Sequence, residues 1–252
     1  MHKMGHAFCL TLLQISSYFT PNQRGKQGMP FRVKIITPIQ VDEADLARRQ
    51  QRYGARAAPD TQVEVVGIMD GPHTLETPDD LLFSEQAVFQ EAMKTKPGDV
   101  DALLIDCIFD PAVDALRQQL PIPVFGPLRA TLPLVSLIAP NFAIVARGQH
   151  HRELFTDIVA RYGYGDRLVA VRTMALTYAE GRQAAPFEAA MQQQLKAVVE
   201  TDGARAVVMG STTIALPDDV AAVAGGVPLF LSGMVTLGLM EALWHDGLLN
   251  GR

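Results

Sequence analysis

Apolar positions along the chain gather into short, nearly unbroken runs separated by longer stretches of mixed polarity. Residues 31–37 (FRVKIIT) predict a strand, residues 41–54 a charged helix and residues 61–69 a second strand. Residues 84–94 predict a helix. The run at 102–106 is apolar on both faces and too short for a helix, as a buried parallel strand would be. The same rhythm returns later, with strands at 142–146, 168–171 and 206–209 and helices at 151–162 and 187–201. Strands alternating with helices point to an α/β fold with parallel sheets. Two Rossmann-like lobes are expected, the first over residues 31–127 plus 232–252 and the second over 128–231.

Two segments repeat one another. Ala102-Leu-Leu-Ile-Asp-Cys107 and Ala206-Val-Val-Met-Gly-Ser211 are apolar strands, each ending at a residue that carries a nucleophilic or acid-base atom. A helix is expected after each, near Pro111 and near Pro217, because proline suits the first helical turn. Each unit closes on a short strand, at 122–126 and at 227–231. Pro123 follows Cys107 by 16 positions and Pro228 follows Ser211 by 17. Ligands of open α/β sheets bind beyond the carboxyl ends of the strands. Lobes facing one another about a pseudo-two-fold axis would therefore set Cys107 and Ser211 on opposite sides of one small ligand in the cleft. The N–H groups of Ile108, Phe109, Thr212 and Thr213 then become candidate donors to an anion.

Composition narrows the function. Lys and Arg number 22 against 27 Asp and Glu, a net charge of −5, which is not the electrostatic footprint of a nucleic-acid binder. No run reaches the ~18 apolar residues of a membrane span. The two cysteines, Cys9 and Cys107, lack the spacing of a disulfide framework or a structural zinc site. The expected protein is cytoplasmic, takes a small-molecule substrate and contacts neither nucleic acid nor membrane. Residues 1–30 carry only a short apolar stretch without a cleavage signal and are expected to be a disordered extension, with Met29 a plausible start.

Asp106-Cys107-Ile-Phe-Asp110-Pro111-Ala-Val-Asp114-Ala-Leu116 resembles the first catalytic-cysteine segment of the aspartate/glutamate/hydantoin racemase superfamily, and within it that of the hydantoin and allantoin racemases. Pro123-Val-Phe-Gly126, Gly71-Pro72-His-Thr-Leu-Glu76, Phe142-Ala-Ile-Val145 and Arg161-Tyr162-Gly163 with Val171-Arg172 are similar to further segments of that family. The resemblance runs from Phe31 to Trp244. It implies a cofactor-independent racemase that uses no metal, with a pair of cysteines as base and acid on a carbon beside a carbonyl, and assembly into homo-oligomers. Two positions depart from the pattern. Ser211 stands where the family has its second cysteine, and Thr37-Pro38-Ile39 replaces an Asn-Pro-Asn opening. Thr37, Pro38 and Gly126 become candidate substrate contacts beside Ile108, Phe109, Thr212 and Thr213.

The chemistry of the pair is unequal. A thiol at a helix N-terminus falls from its ordinary pKa of about 8.5 toward neutrality, which would make Cys107 a competent acid and base. A serine hydroxyl ionises far less readily, and each unit of pKa costs about 1.4 kcal/mol. Racemisation or isomerisation of an amino-acid derivative or hydantoin-like ring is the leading expectation. An arylmalonate-type decarboxylase working with a single thiol and a non-catalytic binder of small anions are the alternatives. Asp110 reads as a structural carboxylate, Arg129 as a surface residue, and His150-His151 as a solvated helix start.

Overall fold

The computed structural model describes residues 29–176, 180, 184–212 and 224–249. Strands β1 (Phe31–Ile36), β2 (Thr61–Val66), β3 (Ala102–Ile105) and β4 (Val124–Phe125) form a parallel sheet in the order β2-β1-β3-β4. Strands β5 (Phe142–Ala146), β6 (Leu168–Thr173), β7 (Val207–Met209) and β8 (Leu229–Phe230) form a second parallel sheet in the matching order β6-β5-β7-β8. The repeat seen in the sequence is thus a repeat of topology. Helices α1 (Glu43–Arg56), α2 (Pro78–Ala92), α3 (Val113–Gln119) and α4 (Pro127–Ile138) belong to the first half of the chain. Helices α5 (His151–Arg161), α6 (Ala184–Glu200) and α7 (Ser232–His245) belong to the second.

Local chemistry sets the boundaries, and several differ from the sequence expectation. Helix α2 begins at Pro78 rather than at residue 84, because Thr77 and Asp80 form a reciprocal capping box around a proline in the first turn. Strand β2 stops at Val66, and Met69 projects into solvent at 76% exposure. Helix α3 starts at Val113 rather than at Pro111. Asp110 and Ala112 have φ of 52° and 60°, left-handed conformations that no right-handed helix can contain. Helix α4 was not anticipated. The helix expected near Pro217 and the N-terminal extension lie outside the described residues.

All four residues of β3 are buried, and their side chains alternate between two cores, as the pleat of a strand directs. Ala102 and Leu104 pack with Phe31, Val33, Ile35 and Tyr53, against Leu237, Met240 and Trp244 of α7. Leu103, Ile105 and Cys107 face the opposite way. They enter a core that also holds Val88 of α2, Leu128 and Leu132 of α4, Phe142 and Ile144 of β5, and Phe155 of α5. This second core is continuous through both halves. Helix α7 returns to the first sheet, where Trp244 stacks on Phe31 with ring centroids 4.8 Å apart. Its Glu241 accepts from the Ala58 N–H at 2.7 Å.

Candidate active site

Beyond β3 the extended pattern persists for two residues. The Asp106 N–H donates to the Ile36 carbonyl at 2.8 Å, and the Cys107 N–H turns back to Ile105 O at 2.7 Å. Consecutive side chains of an extended chain point to opposite faces, so Asp106 and Cys107 diverge. Asp106 reaches under α1, where Arg49 Nη1 donates to its Oδ2 at 2.8 Å and the Tyr53 hydroxyl to its Oδ1 at 2.6 Å. Arg49 also donates through Nε to Asp45 Oδ2 at 2.8 Å. Burial opposes the Arg49 charge, but the Asp106 and Asp45 carboxylates outweigh it and hold the guanidinium above its ordinary range. Asp45, Arg49 and Tyr53 recur at four-residue steps, the spacing that aligns side chains on one helical face.

Cys107 is 3% exposed. Burial pushes its thiol well above the ordinary range, and the nearby Asp110 and Asp106 carboxylates add to the shift. A hydrogen bond from the Phe109 N–H works against it. This overturns the expected depression by a helix N-terminus. The next helix begins only at Val113, so its end does not act on the sulfur. Burial thus favours the protonated form of the Cys107 thiol.

The equivalent point of the second half is Ser211. Register pairs β1 with β3 and β5 with β7 in the same way, and Ser211 follows Met209 as Cys107 follows Ile105. Gly210 takes the place of Asp106. A Cβ there would lie 2.9 Å from Ala146 Cβ and 3.0 Å from Phe155 Cε2, so the second half has no room for a counterpart of the Asp106 carboxylate. The two strand ends touch. Thr212 Oγ1 donates to the Asp106 carbonyl at 3.1 Å, and Arg52 Nη2 of α1 donates to the Thr212 carbonyl. Gly233 at the start of α7 permits this approach, since a side chain there would overlap the Tyr53 hydroxyl and stand 3.5 Å from Thr212 Cβ.

Other expected contacts are occupied within the fold. Thr37 is buried, its N–H on Val66 O at 2.9 Å and its hydroxyl on Ile39 O at 3.0 Å. The Pro38 carbonyl accepts from Ser84 Oγ at 2.6 Å. Ile108 is buried, and the Phe109 ring packs on His151 and Phe155 with centroids 5.3 and 4.8 Å away. Gly126 faces Asp110, whose Cγ would lie 2.5 Å from a Cβ at that position. Thr213 lies outside the described residues.

Asp110 caps α4 from a distance, accepting from Leu128 N at 3.1 Å and Arg129 N at 2.8 Å. Arg129 pairs with Asp114 and lies over the Tyr162 ring, 5.1 Å from its centroid. The expected solvated histidine pair is corrected at His151, which is 4% exposed. Its Nε2 meets Leu75 O at 2.7 Å, which requires the proton on Nε2, and burial holds its pKa below the ordinary value. A cavity of about 410 Å³ opens beside this loop, lined among others by Phe109, Asp110, Arg129 and Tyr162, but Cys107 is not among its walls.

Twin parallel sheets of identical order, with a thiol and a hydroxyl at equivalent strand ends, define a duplicated α/β architecture. The chain belongs to the Asp/Glu/Hydantoin racemase family, whose model matches residues 46–237. It is a racemase-type isomerase. A hydantoin racemase from Pseudomonas sp. (strain NS671) is 31% identical over 189 residues, 73% of this chain and 74% of that protein. The fold matches the structure of allantoin racemase from Klebsiella pneumoniae with a TM-score of 0.77 at 21% identity, covering 86% of this chain and 89% of the other. An arylmalonate decarboxylase, with a glycine replaced by cysteine and a cysteine by serine, superposes with a TM-score of 0.61 at 16% identity, covering 88% and 95%.

The sequence pattern missed the polar stripe of α1. Asp45, Arg49, Arg52 and Tyr53 read as members of a charged, solvated helix, yet three of the four are buried and the fourth half-buried. The four-residue spacing of Asp45, Arg49 and Tyr53 is the available signal.

Proposed function

We propose that this protein racemises a small hydantoin-like ring at the carbon between the ring nitrogen and the carbonyl, without a cofactor, using Cys107 as one proton carrier and Ser211 as the other. One carrier removes that proton to give an enolate, and the other delivers its own proton to the opposite face, which inverts the centre. Two carriers on opposite sides are needed, and Cys107 and Ser211, at equivalent strand ends of the two halves, are the residues we assign to them. The observation that carries the reading is the structural equivalence of Cys107 and Ser211 in two halves of identical strand order. The relatives named hydantoin and allantoin racemase support the substrate class.

The high pKa of the buried thiol fits an acid better than a resting base. A polar ring and water admitted beside Cys107 would remove part of the burial that raises the pKa. Ser211 is the weaker partner, so the step in which it carries the proton limits the rate.

Incubating each enantiomer of 5-methylhydantoin and of allantoin with the protein in heavy water tests the proposal. Loss of optical rotation with solvent deuterium entering the inverted product is expected, and Cys107→Ala abolishes both. Activity retained in that variant overturns the assignment.

One-sided protonation after decarboxylation is a second reading, favoured by the pairing of one thiol with one hydroxyl. The doubly substituted arylmalonate decarboxylase carries the same two introduced residue types. A shorter, deuterated acid released from an arylmalonate would select it.

A further inference from the structure

Each sheet reverses its winding direction once, between β1 and β3 in the first half and between β5 and β7 in the second. Ligands of open α/β sheets bind in the crevice at such a point, beyond the carboxyl ends of the two strands. The last paired positions are Ile36 with Ile105 and Val145 with Met209. The ladders continue past them, since the Asp106 N–H donates to Ile36 O and the Gly210 N–H to Val145 O, both at 2.8 Å. Two residues on, the same register sets Pro38 beside Cys107 and Arg147 beside Ser211. Of these four, Arg147 alone carries a charge.

Arg147 meets a carboxylate of the other half, but loosely. Its Nη2 lies 3.6 Å from Glu76 Oε1, outside hydrogen-bond range. Glu76 belongs to the loop between β2 and α2, and its Oε1 is shielded from solvent yet accepts no hydrogen bond among the described residues. The surrounding loops are tightly held. His151 Nε2 donates to Leu75 O at 2.7 Å, and the Glu76 N–H donates to Asp80 Oδ2 at 2.9 Å. A half-buried ion pair without hydrogen bonds contributes little to stability, whereas a shielded carboxylate oxygen without a donor costs free energy. A carboxylate placed in line with the guanidinium would gain the charge-assisted hydrogen bonds that Glu76 does not make. We propose that Arg147 recognises a carboxylate on the substrate's side chain, that Glu76 is the internal carboxylate it displaces, and that the preferred substrates are hydantoins with an acidic substituent at C5. The proposal deepens the racemase reading above and rests on it.

The test compares hydantoin-5-acetic acid with hydantoin-5-acetamide, which keeps the size and polarity of the side chain and loses its charge. Polarimetry gives kcat/KM for each compound. Calorimetry gives the binding of each to Cys107→Ala, with and without Arg147→Gln, and needs no turnover. The unaltered enzyme is expected to favour the acid about 10- to 100-fold, the range of a hydrogen bond to a charged group. Arg147→Gln is expected to bring that ratio to about one, and Arg147→Lys to restore part of it. Glu76→Gln is expected to widen the ratio, because the internal competitor is gone. A residue that only held the fold together would not sort acid from amide, and thermal melts give the folded fraction of every variant. Equal treatment of acid and amide by the unaltered enzyme overturns the inference, as does a preference that survives in Arg147→Gln. Should Arg147→Gln be recovered unfolded, Glu76→Gln decides, and an unchanged or smaller ratio there overturns the inference. If neither ring is racemised, yet calorimetry shows the acid preferred and the preference lost with Arg147, the racemase reading fails and the anion site stands. Binding of neither compound overturns the inference.

Discussion

The Tyr162 hydroxyl, from the end of α5, donates to Asp110 Oδ2 at 3.0 Å, so a carboxylate that caps a helix of the first half is also held by a side chain of the second. Burial raises Asp110 to about 7, against the pull of the Arg129 and Leu128 N–H groups and of Tyr162. An unfolded aspartate titrates near about 3.9. Between those values the folded chain holds more protons than the unfolded one, and stability falls with rising pH wherever that is so. The Asp110 contribution is therefore fully present below about pH 4 and is lost as pH rises through about 7. Urea melts between pH 4.5 and 8 should show this decline, and Asp110→Asn should flatten it. Asp45 acts in the opposite sense and at lower pH. Burial would raise it, but the Arg49 and Arg48 guanidiniums hold it below the ordinary carboxylate range.

Breaking the Arg49–Asp106 pair leaves a carboxylate buried without its cation. Arg49→Met should destabilise the fold by about 3–5 kcal/mol. That is a large share of the ~5–15 kcal/mol available to a typical domain. The midpoint of a urea transition measures it, and a shift of a few tenths of a kcal/mol would show that the pair carries little.

Removing only the Tyr53 hydroxyl is milder. Tyr53→Phe leaves the Asp106 carboxylate on Arg49 but strips one buried donor, at a cost of about 1–3 kcal/mol. Burial, reinforced by Asp106, holds this phenol well above its ordinary pKa, so it remains a donor across the working range. An unchanged melting temperature would contradict that role.

Ser211→Cys restores the residue type that the family resemblance places at the second station. If the hydroxyl limits proton transfer, a thiol there should raise kcat for a hydantoin at least about tenfold, since each unit of pKa is worth about 1.4 kcal/mol. Polarimetry with both enantiomers measures the gain. A slower variant would mean that the rate is set elsewhere.

Gly233→Ala probes the approach of α7. The added methyl would overlap the Tyr53 hydroxyl, and overpacking of this kind costs about 1–3 kcal/mol. A calorimetric melt checks this, and a neutral result would mean that α7 can shift without disturbing its neighbours.

Much of the fold was legible because its signals are local. The apolar run at β3 reads as a buried strand from its own residues, and β5 was placed at its observed bounds, Phe142–Ala146. The capping box that starts α2 was also local, but lay six residues ahead of the apolar pattern and was passed over. The site was legible only in part. The internal repeat puts Cys107 and Ser211 at equivalent strand ends, as the structure does, whereas the pKa of the thiol depends on burial that only the packed halves create. Arg49, Tyr53 and Arg52 meet Asp106 and Thr212 at separations of 53 to 160 residues, which no local pattern encodes. The expectation of a solvated His151 fails for the same reason, since its partner is the Leu75 carbonyl, 76 residues away.

Where Cys107 ends one strand, Ser211 ends its counterpart, and mirror-image compounds held between them would meet unlike groups. Such compounds have equal free energies, so catalysis cannot favour one of them at equilibrium, and the specificity constants of the forward and reverse reactions must coincide. A lopsided chamber can express itself only in how tightly each hand is held before it is inverted: the form bound more firmly turns over more slowly, in strict proportion.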